Sequence, residues 1–295
     1  MKKLLLLTAL LTLFAQIGSS QNSTFDKNAF CKKLEKELVK INDSLYASKF
    51  ECSILNYRTF LNDLKSQSKD VSTFLPDTFA GWSKKRNDVR MVPYYLSHPA
   101  YNEYPIFSIT LEAAMAYCKW LNEVYAGYAD KKFQQMTFTL PTVSEWENAA
   151  LSFKNRIQKK HYYKTINDQL ITINYTWQST NPYKENNRHS KSIDLNLLYD
   201  GSWNFLSSMK DFRKANFHDE FYQSQQTAPI KSFPPSNNGM FNVCGNVAEM
   251  TLNPDIIKGG SFLNHSSDCA IHINTNLYQI PNRDVGFRVF MKVKK

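Results

Sequence analysis

The chain has 295 residues, enough for one large domain or two small ones, and its 42% hydrophobic and 21% charged residues are the composition of a folded protein, not a disordered one. Only 9 glycines are present, and no G-x-G-x-x-G or G-x-x-x-x-G-K-[ST] pattern occurs, which excludes Rossmann and Walker nucleotide cradles. A formal charge of +10 admits acidic glycans, anionic lipid or nucleic acid as partners, although the densest basic stretches, 84–90 and 154–164, read first as solvated faces.

Lys2 and Lys3 precede an apolar run over 4–14 and then the small residues Gly18, Ser19 and Ser20. This is the pattern of a secretory signal peptide over 1–20, cut before Gln21. The run falls short of the roughly 20 apolar residues a membrane span needs. The first cysteine, Cys31, stands too far along to anchor a lipid. The sequence therefore predicts an exported, soluble protein, periplasmic or secreted, with no membrane span and no nucleic-acid partner.

Residues 21–44 form a helical prelude. Phe30, Leu34, Leu38, Ile41 and Leu45 recur at spacings of three and four, with Asp26 or Thr24 as cap. That stripe reads as packing on the domain behind it. A short strand over 50–54 and a helix over 56–64 follow, then an ordered, polar loop to about Tyr104 and a strand over 105–109. Thr110 starts an amphipathic helix through Asn122 that turns Ala113, Ala114, Tyr117, Trp120 and Leu121 inward. Pro141 and Thr142 start another helix to Ala150, with Glu145 in the capping-box position. Residues 151–213 are an irregular insertion whose best strand is 170–177, and short strands divided by Pro and Gly follow from Ala215. One irregular α+β domain over 45–295 accounts for this pattern better than a bundle or barrel.

The five cysteines, Cys31, Cys52, Cys118, Cys244 and Cys269, include no C-x-x-C and no zinc-finger spacing with histidine. An odd number leaves at least one outside any intrachain disulfide. No G-x-S-x-G elbow is present for a serine hydrolase. Trp146 reads as a buried anchor, and Arg288 as the partner of a buried carboxylate or carbonyl.

Four blocks stand in order along the chain. They are Phe50-Glu51-Cys52 with Tyr57-x-x-Phe60-Leu61-Asn62; Tyr104-Pro105-Ile106 with Ala116-Tyr117-Cys118-Lys119-Trp120; and Leu140-Pro141-Thr142-x-x-Glu145-Trp146. The fourth joins Asn242-Val243-Cys244-Gly245-Asn246-Val247-Ala248-Glu249 to Gly259-Gly260-Ser261-Phe262 and Gly286-Phe287-Arg288. In this the chain resembles the sulfatase-modifying-factor family, founded on the formylglycine-generating enzyme, over about residues 45–291. The resemblance implies a C-type-lectin-like fold with little regular secondary structure. His98-Pro99-Ala100-Tyr101-x-x-Tyr104-Pro105 is most similar to the envelope branch of gliding-motility and type IX secretion proteins, whose members are structural.

The resemblance also implies ligands. A calcium would be held by the Asn242 and Glu249 side chains and the Gly245 and Val247 carbonyls, hard oxygen donors suited to that ion. A second calcium would use Asn216 and the Phe217 carbonyl, but its aspartate falls near Tyr222, where no carboxylate stands. Ala248 and Met250 replace the tryptophans of the family's G-N-x-W-E-W. The family's oxidase motif, G-G-S-x-x-C-H-x-x-x-C, holds copper(I) between two thiolates. Ser261, His265 and Cys269 match it, but Asn264 stands in place of the first cysteine, and a hard amide is a poor copper(I) ligand. In relatives the cysteine equivalent to Cys118 bonds one just after G-F-R; here that position is Val289, and Cys52 is the candidate substitute. The expectation is an exported domain without oxidase activity or copper that binds envelope or secreted proteins. A working oxidase and a glycan-binding module are the alternatives.

Overall fold

The structure is a computed structural model that describes residues 25–77, 91–151, 227–232, 235–236, 238–262, 264, 269, 271–276, 281–282 and 284–294. Helix α1 (Lys27–Lys36) begins where the Asp26 side chain accepts the Ala29 N–H. Its Phe30 and Leu34 pack on the main core, Phe30 with its ring 5.4 Å from that of Trp120. The prelude is therefore part of the domain's packing. It is not one helix to Leu45, however. The chain turns into strands β1 (Leu38–Lys40) and β2 (Leu45–Ser48), which pair antiparallel with Val39 opposite Ala47. Between the two strands the Asn42 side-chain oxygen accepts the Ser44 N–H, a local turn that apolar spacing alone does not reveal.

The expected strands over 50–54 and 105–109 shrink to a single bridge, Ser53 to Pro105. Helix α2 (Ile54–Ser66), capped by Ser53, buries Ile54, Tyr57, Phe60, Leu61 and Leu64. The stretch expected as loop holds helix α3 (Met91–Ser97) and short 3-10 turns at Ser72–Phe74 and Pro99–Tyr101. Helix α4 (Leu111–Ala126) starts at its Thr110 cap and turns Tyr117, Trp120 and Leu121 into the core. The Trp120 indole N–H reaches the buried Asp63 carboxylate at 2.8 Å, so the helix pair is joined by a polar contact as well as by apolar area.

Strand β3 (Met136–Thr139), which the sequence did not signal, precedes α5 (Val143–Ala150). The Thr142–Glu145 capping box at the start of α5 is formed in both directions. The last part of the chain gives β4 (Ala248–Met250), β5 (Ile256–Lys258), β6 (Thr275–Asn276), β7 (Val285–Gly286) and β8 (Phe290–Val293). Two four-stranded sheets result, ordered β1-β2-β8-β3 and β6-β5-β4-β7; the first is antiparallel, and in the second β4 and β7 run parallel. Pairing of β2 with β8, Tyr46 opposite Met291, closes the start of the domain on its end. The architecture is α+β. The strand expected at 170–177 and most of the 151–213 insertion lie outside the described residues. No described helix is long and apolar enough to cross a membrane.

Candidate functional site

The 259–264 segment leaves β5 through two glycines at positive φ, +83° and +62°. A Cβ on Gly260 would stand 2.5 Å from the Cys269 sulfur, so the thiol packs directly on bare backbone. Ser261 is fully buried, and its hydroxyl lies 2.8 Å from Asp284 Oδ2 and 2.8 Å from Asn264 Oδ1. Asn264 Oδ1 also accepts the Ser261 backbone N–H at 2.8 Å. The Asn264 amide thus braces its own turn. Cys269 is 2% exposed, and the Cys244 thiol donates to its carbonyl at 2.7 Å. The structure brings Ser261, Asn264 and Cys269 together on the two glycines; His265 lies outside the described residues.

Beneath this segment lies a buried ionic layer. Arg288, fully buried, gives its Nε and Nη2 to Glu249 at 2.6–3.2 Å. Its remaining N–H groups reach the carbonyls of Ser48, Lys49 and Phe241. The Trp146 indole donates to Glu249 Oε2 at 2.7 Å. Trp146 is the buried anchor its sequence context implied, and Arg288 pairs a carboxylate and three carbonyls at once. Lys258 is buried as well, with its ammonium on Glu147, the Ile273 carbonyl and Asn274 Oδ1, 5.5 Å from the Trp146 ring centroid. Burial lowers its pKa, and Glu147 and then Cys244 oppose that shift.

Glu51, from the first sequence block, is the centre of a second buried group. Its Oε2 accepts from the side-chain amides of Asn242 and Asn246 at 2.9 and 2.8 Å, and Oε1 from the Val247 N–H at 3.3 Å. Burial pushes its carboxyl up to about 8, against the lowering pull of Arg288. Asn242 and Asn246 both adopt positive φ, 51° and 62°, a conformation asparagine tolerates better than most residues. The Asn242 Oδ1 is buried with no hydrogen-bond partner among the described residues.

The order of these elements has a counterpart in known proteins: the sulfatase-modifying factor enzyme 1-like domain matches residues 14–293. The chain belongs to this family. The formylglycine-generating enzyme of Bos taurus is 24% identical over 197 residues, 57% of this chain and 37% of the bovine protein, so the match spans little more than a third of that relative. Solved structures similar to the chain include CarF, with 14% identity, a TM-score of 0.48, and 85% of this chain and 87% of that one covered. PvdO from Pseudomonas aeruginosa has 13% identity and a TM-score of 0.44 over 84% and 80% of the two chains. Treponema denticola variable protein 1 has 14% and 0.43 over 86% and 90%.

Two expectations drawn from the sulfatase-modifying factor family can be set beside the geometry. For calcium, Asn242 fits: an orphaned, buried amide oxygen is what a cation ligand leaves behind when the ion is taken away. Glu249 is shared with Arg288 and Trp146, whose N–H groups reach both its oxygens, so a calcium ion on this loop would rest chiefly on Asn242 and the Gly245 and Val247 carbonyls. Asn216 and Phe217 lie outside the described residues. For disulfides, the bond expected between Cys52 and Cys118 is not made: both are buried thiols. Cys52 sits against the Tyr117 hydroxyl, and burial pushes the Cys118 thiol up to about 12.

Sequence reasoning passed over Glu51 and Lys258 as functional side chains. Glu51 had a signal, as the one charged residue in an otherwise apolar first block. Lys258 had none, because nothing in its spacing distinguishes a buried lysine from a solvated one. His98 of the envelope-type motif plays a local part, since its Nδ1 accepts the Ala100 N–H at 3.2 Å and starts the 3-10 turn.

Proposed function

We propose that this domain is exported, has given up the oxidase chemistry of formylglycine-generating enzymes, and acts by binding other envelope or secreted proteins. The observation that carries the reading is Asn264. It occupies the position of a copper-binding cysteine, and its oxygen is held by the Ser261 N–H and hydroxyl. A hard donor tied into a turn is a poor ligand for copper(I), which selects soft thiolates. Cys269 alone gives one soft donor where the chemistry needs two. A structural role in gliding-type or type IX secretion machinery is the finer form of this proposal, supported by the 98–105 motif. A C-type-lectin-like arrangement goes with it, supported by β2 lying against β8.

Retained Ser261 and Cys269, and the name of the bovine relative, favour a second reading as a working oxidase. One assay separates them. The purified protein is desalted, its copper measured, and a C-x-P-x-R peptide offered with copper(I) and a reductant. The expected result is no retained copper and no formylglycine, with Asn264→Cys raising copper retention. Robust turnover by the wild type overturns the binding reading and puts the oxidase first.

A further inference from the structure

We propose that Asn238 is a deamidation site whose rate is set by the 236–240 turn that grips its amide. Asn238 and Gly239 form the single Asn-Gly pair of the chain. Glycine has no side chain to shield its nitrogen, so in a flexible chain that nitrogen readily reaches the carboxamide carbon of the preceding asparagine.

In the fold both reacting groups are engaged. The leaving group, Asn238 Nδ2, donates to the Ala149 carbonyl at 2.7 Å. Its Oδ1 accepts the Ser236 hydroxyl at 2.5 Å and the Met240 N–H at 3.3 Å. The nucleophile, the Gly239 N–H, donates to the Ser236 carbonyl at 2.8 Å. Buried Ser236 thus holds the carboxamide by its hydroxyl and the attacking nitrogen by its carbonyl. Asn238 itself is only half-buried, so water reaches it once the turn opens.

The step needs water and no oxidant. The Gly239 nitrogen loses its proton to solvent and attacks Asn238 Cγ. The bond from Cγ to Nδ2 breaks, and Nδ2 takes up a proton and leaves as ammonia, closing a succinimide. Water then opens the ring at one of its two carbonyls, giving aspartate or isoaspartate. Neither product rebuilds the grip, because a carboxylate has no N–H to give Ala149. Its charge also falls at the C-terminal end of α5, where the helix is already negative. The turn leads straight into Phe241, whose carbonyl holds Arg288, so the damage reaches the buried ionic layer.

The test incubates the full chain, folded and in denaturant, in one mildly alkaline buffer before dilution and digestion with trypsin. Cleavage after Lys231 and Lys258 leaves Asn238 in one peptide, and fragmentation places the amide-to-acid mass change. The folded wild type is expected to react at least about tenfold more slowly than the denatured chain. Ser236→Ala should react roughly three- to tenfold faster than wild type when folded, and equally fast in denaturant. Tyr125→Phe removes the bond to Glu35 in the other core cluster, so it controls for general loss of stability and should keep the wild-type rate. Asn238→Asp, which carries one product, should melt below the wild type. Equal folded and denatured wild-type rates, a folded Ser236→Ala rate equal to wild type, the same acceleration in Tyr125→Phe, or an unchanged Asn238→Asp midpoint overturns the proposal. The wild-type comparison decides the matter even where a variant fails to fold.

Discussion

Arg288 shows how much of the interior hangs on one side chain. Its five N–H groups are spent on Glu249 and on carbonyls at the end of β2 and in the 241 region, so three distant segments meet at one guanidinium. A lysine could not replace this planar fork, since it offers one point of charge. Both charges are buried, and removing one leaves the other without its counter-charge. Arg288→Met is expected to lower the unfolding free energy by about 3–5 kcal/mol, measured by urea denaturation. Glu249→Gln should destabilise too, and the double variant should cost clearly less than the sum, because neither then strands a charge. Strict additivity would show that the two do not act as a pair. The sequence made the arginine legible, as the charged residue of Gly-Phe-Arg beside an apolar strand. It did not name Glu249 as the partner, because that carboxylate was already accounted for by the calcium expectation.

At the scale of elements, helix starts were the legible part. Ser, Thr and Asp caps act through the next three residues, so Asp26, Thr110 and the Thr142–Glu145 box could be read locally, and each is formed. Short strands were poorly legible. β6 and β7 are two residues each, too short for alternation to show, and β1 and β2 carry leucines at a spacing that also suits a helix. Their pairing is decided by partners far along the chain. The two glycines after β5 stood out in the sequence as part of a motif, and the structure supplies what approaches their backbone. Gly260 has a φ of +62° and carries Cys269 against its backbone, so alanine there meets both a backbone penalty and a sulfur 2.5 Å away. Gly260→Ala is expected to cost about 2–4 kcal/mol, combining left-handed strain with overpacking. Cys269→Ala in the same chain should return part of that loss, because it removes the sulfur but not the strain. A Gly260→Ala protein with an unchanged denaturation midpoint would show that the segment relaxes freely.

Over the whole molecule, the first and last strands share one sheet, while the second sheet and the 242–249 loop are held to it through Arg288, Glu51 and Trp146. Stability of the domain should therefore follow the state of that loop. Asn242 leaves a buried oxygen with no donor among the described residues, and such an atom costs about 1–3 kcal/mol unless something satisfies it. A calcium ion resting on that oxygen and on the Gly245 and Val247 carbonyls would remove the cost, and it would bind the folded state alone, because the unfolded chain does not assemble the three donors. Calcium at about 100 times its dissociation constant is then expected to add ~2.7 kcal/mol, seen as a rise in thermal midpoint that excess chelator reverses. The variants separate the ion from the ion pair. Asn242→Ala should lose the calcium response, whereas Glu249→Gln should lower the midpoint yet keep most of the response, because Glu249 is committed chiefly to Arg288. A wild-type midpoint indifferent to both calcium and chelator would mean that the loop is held by its internal charges alone, with Arg288 supplying the positive charge that the ion was expected to bring.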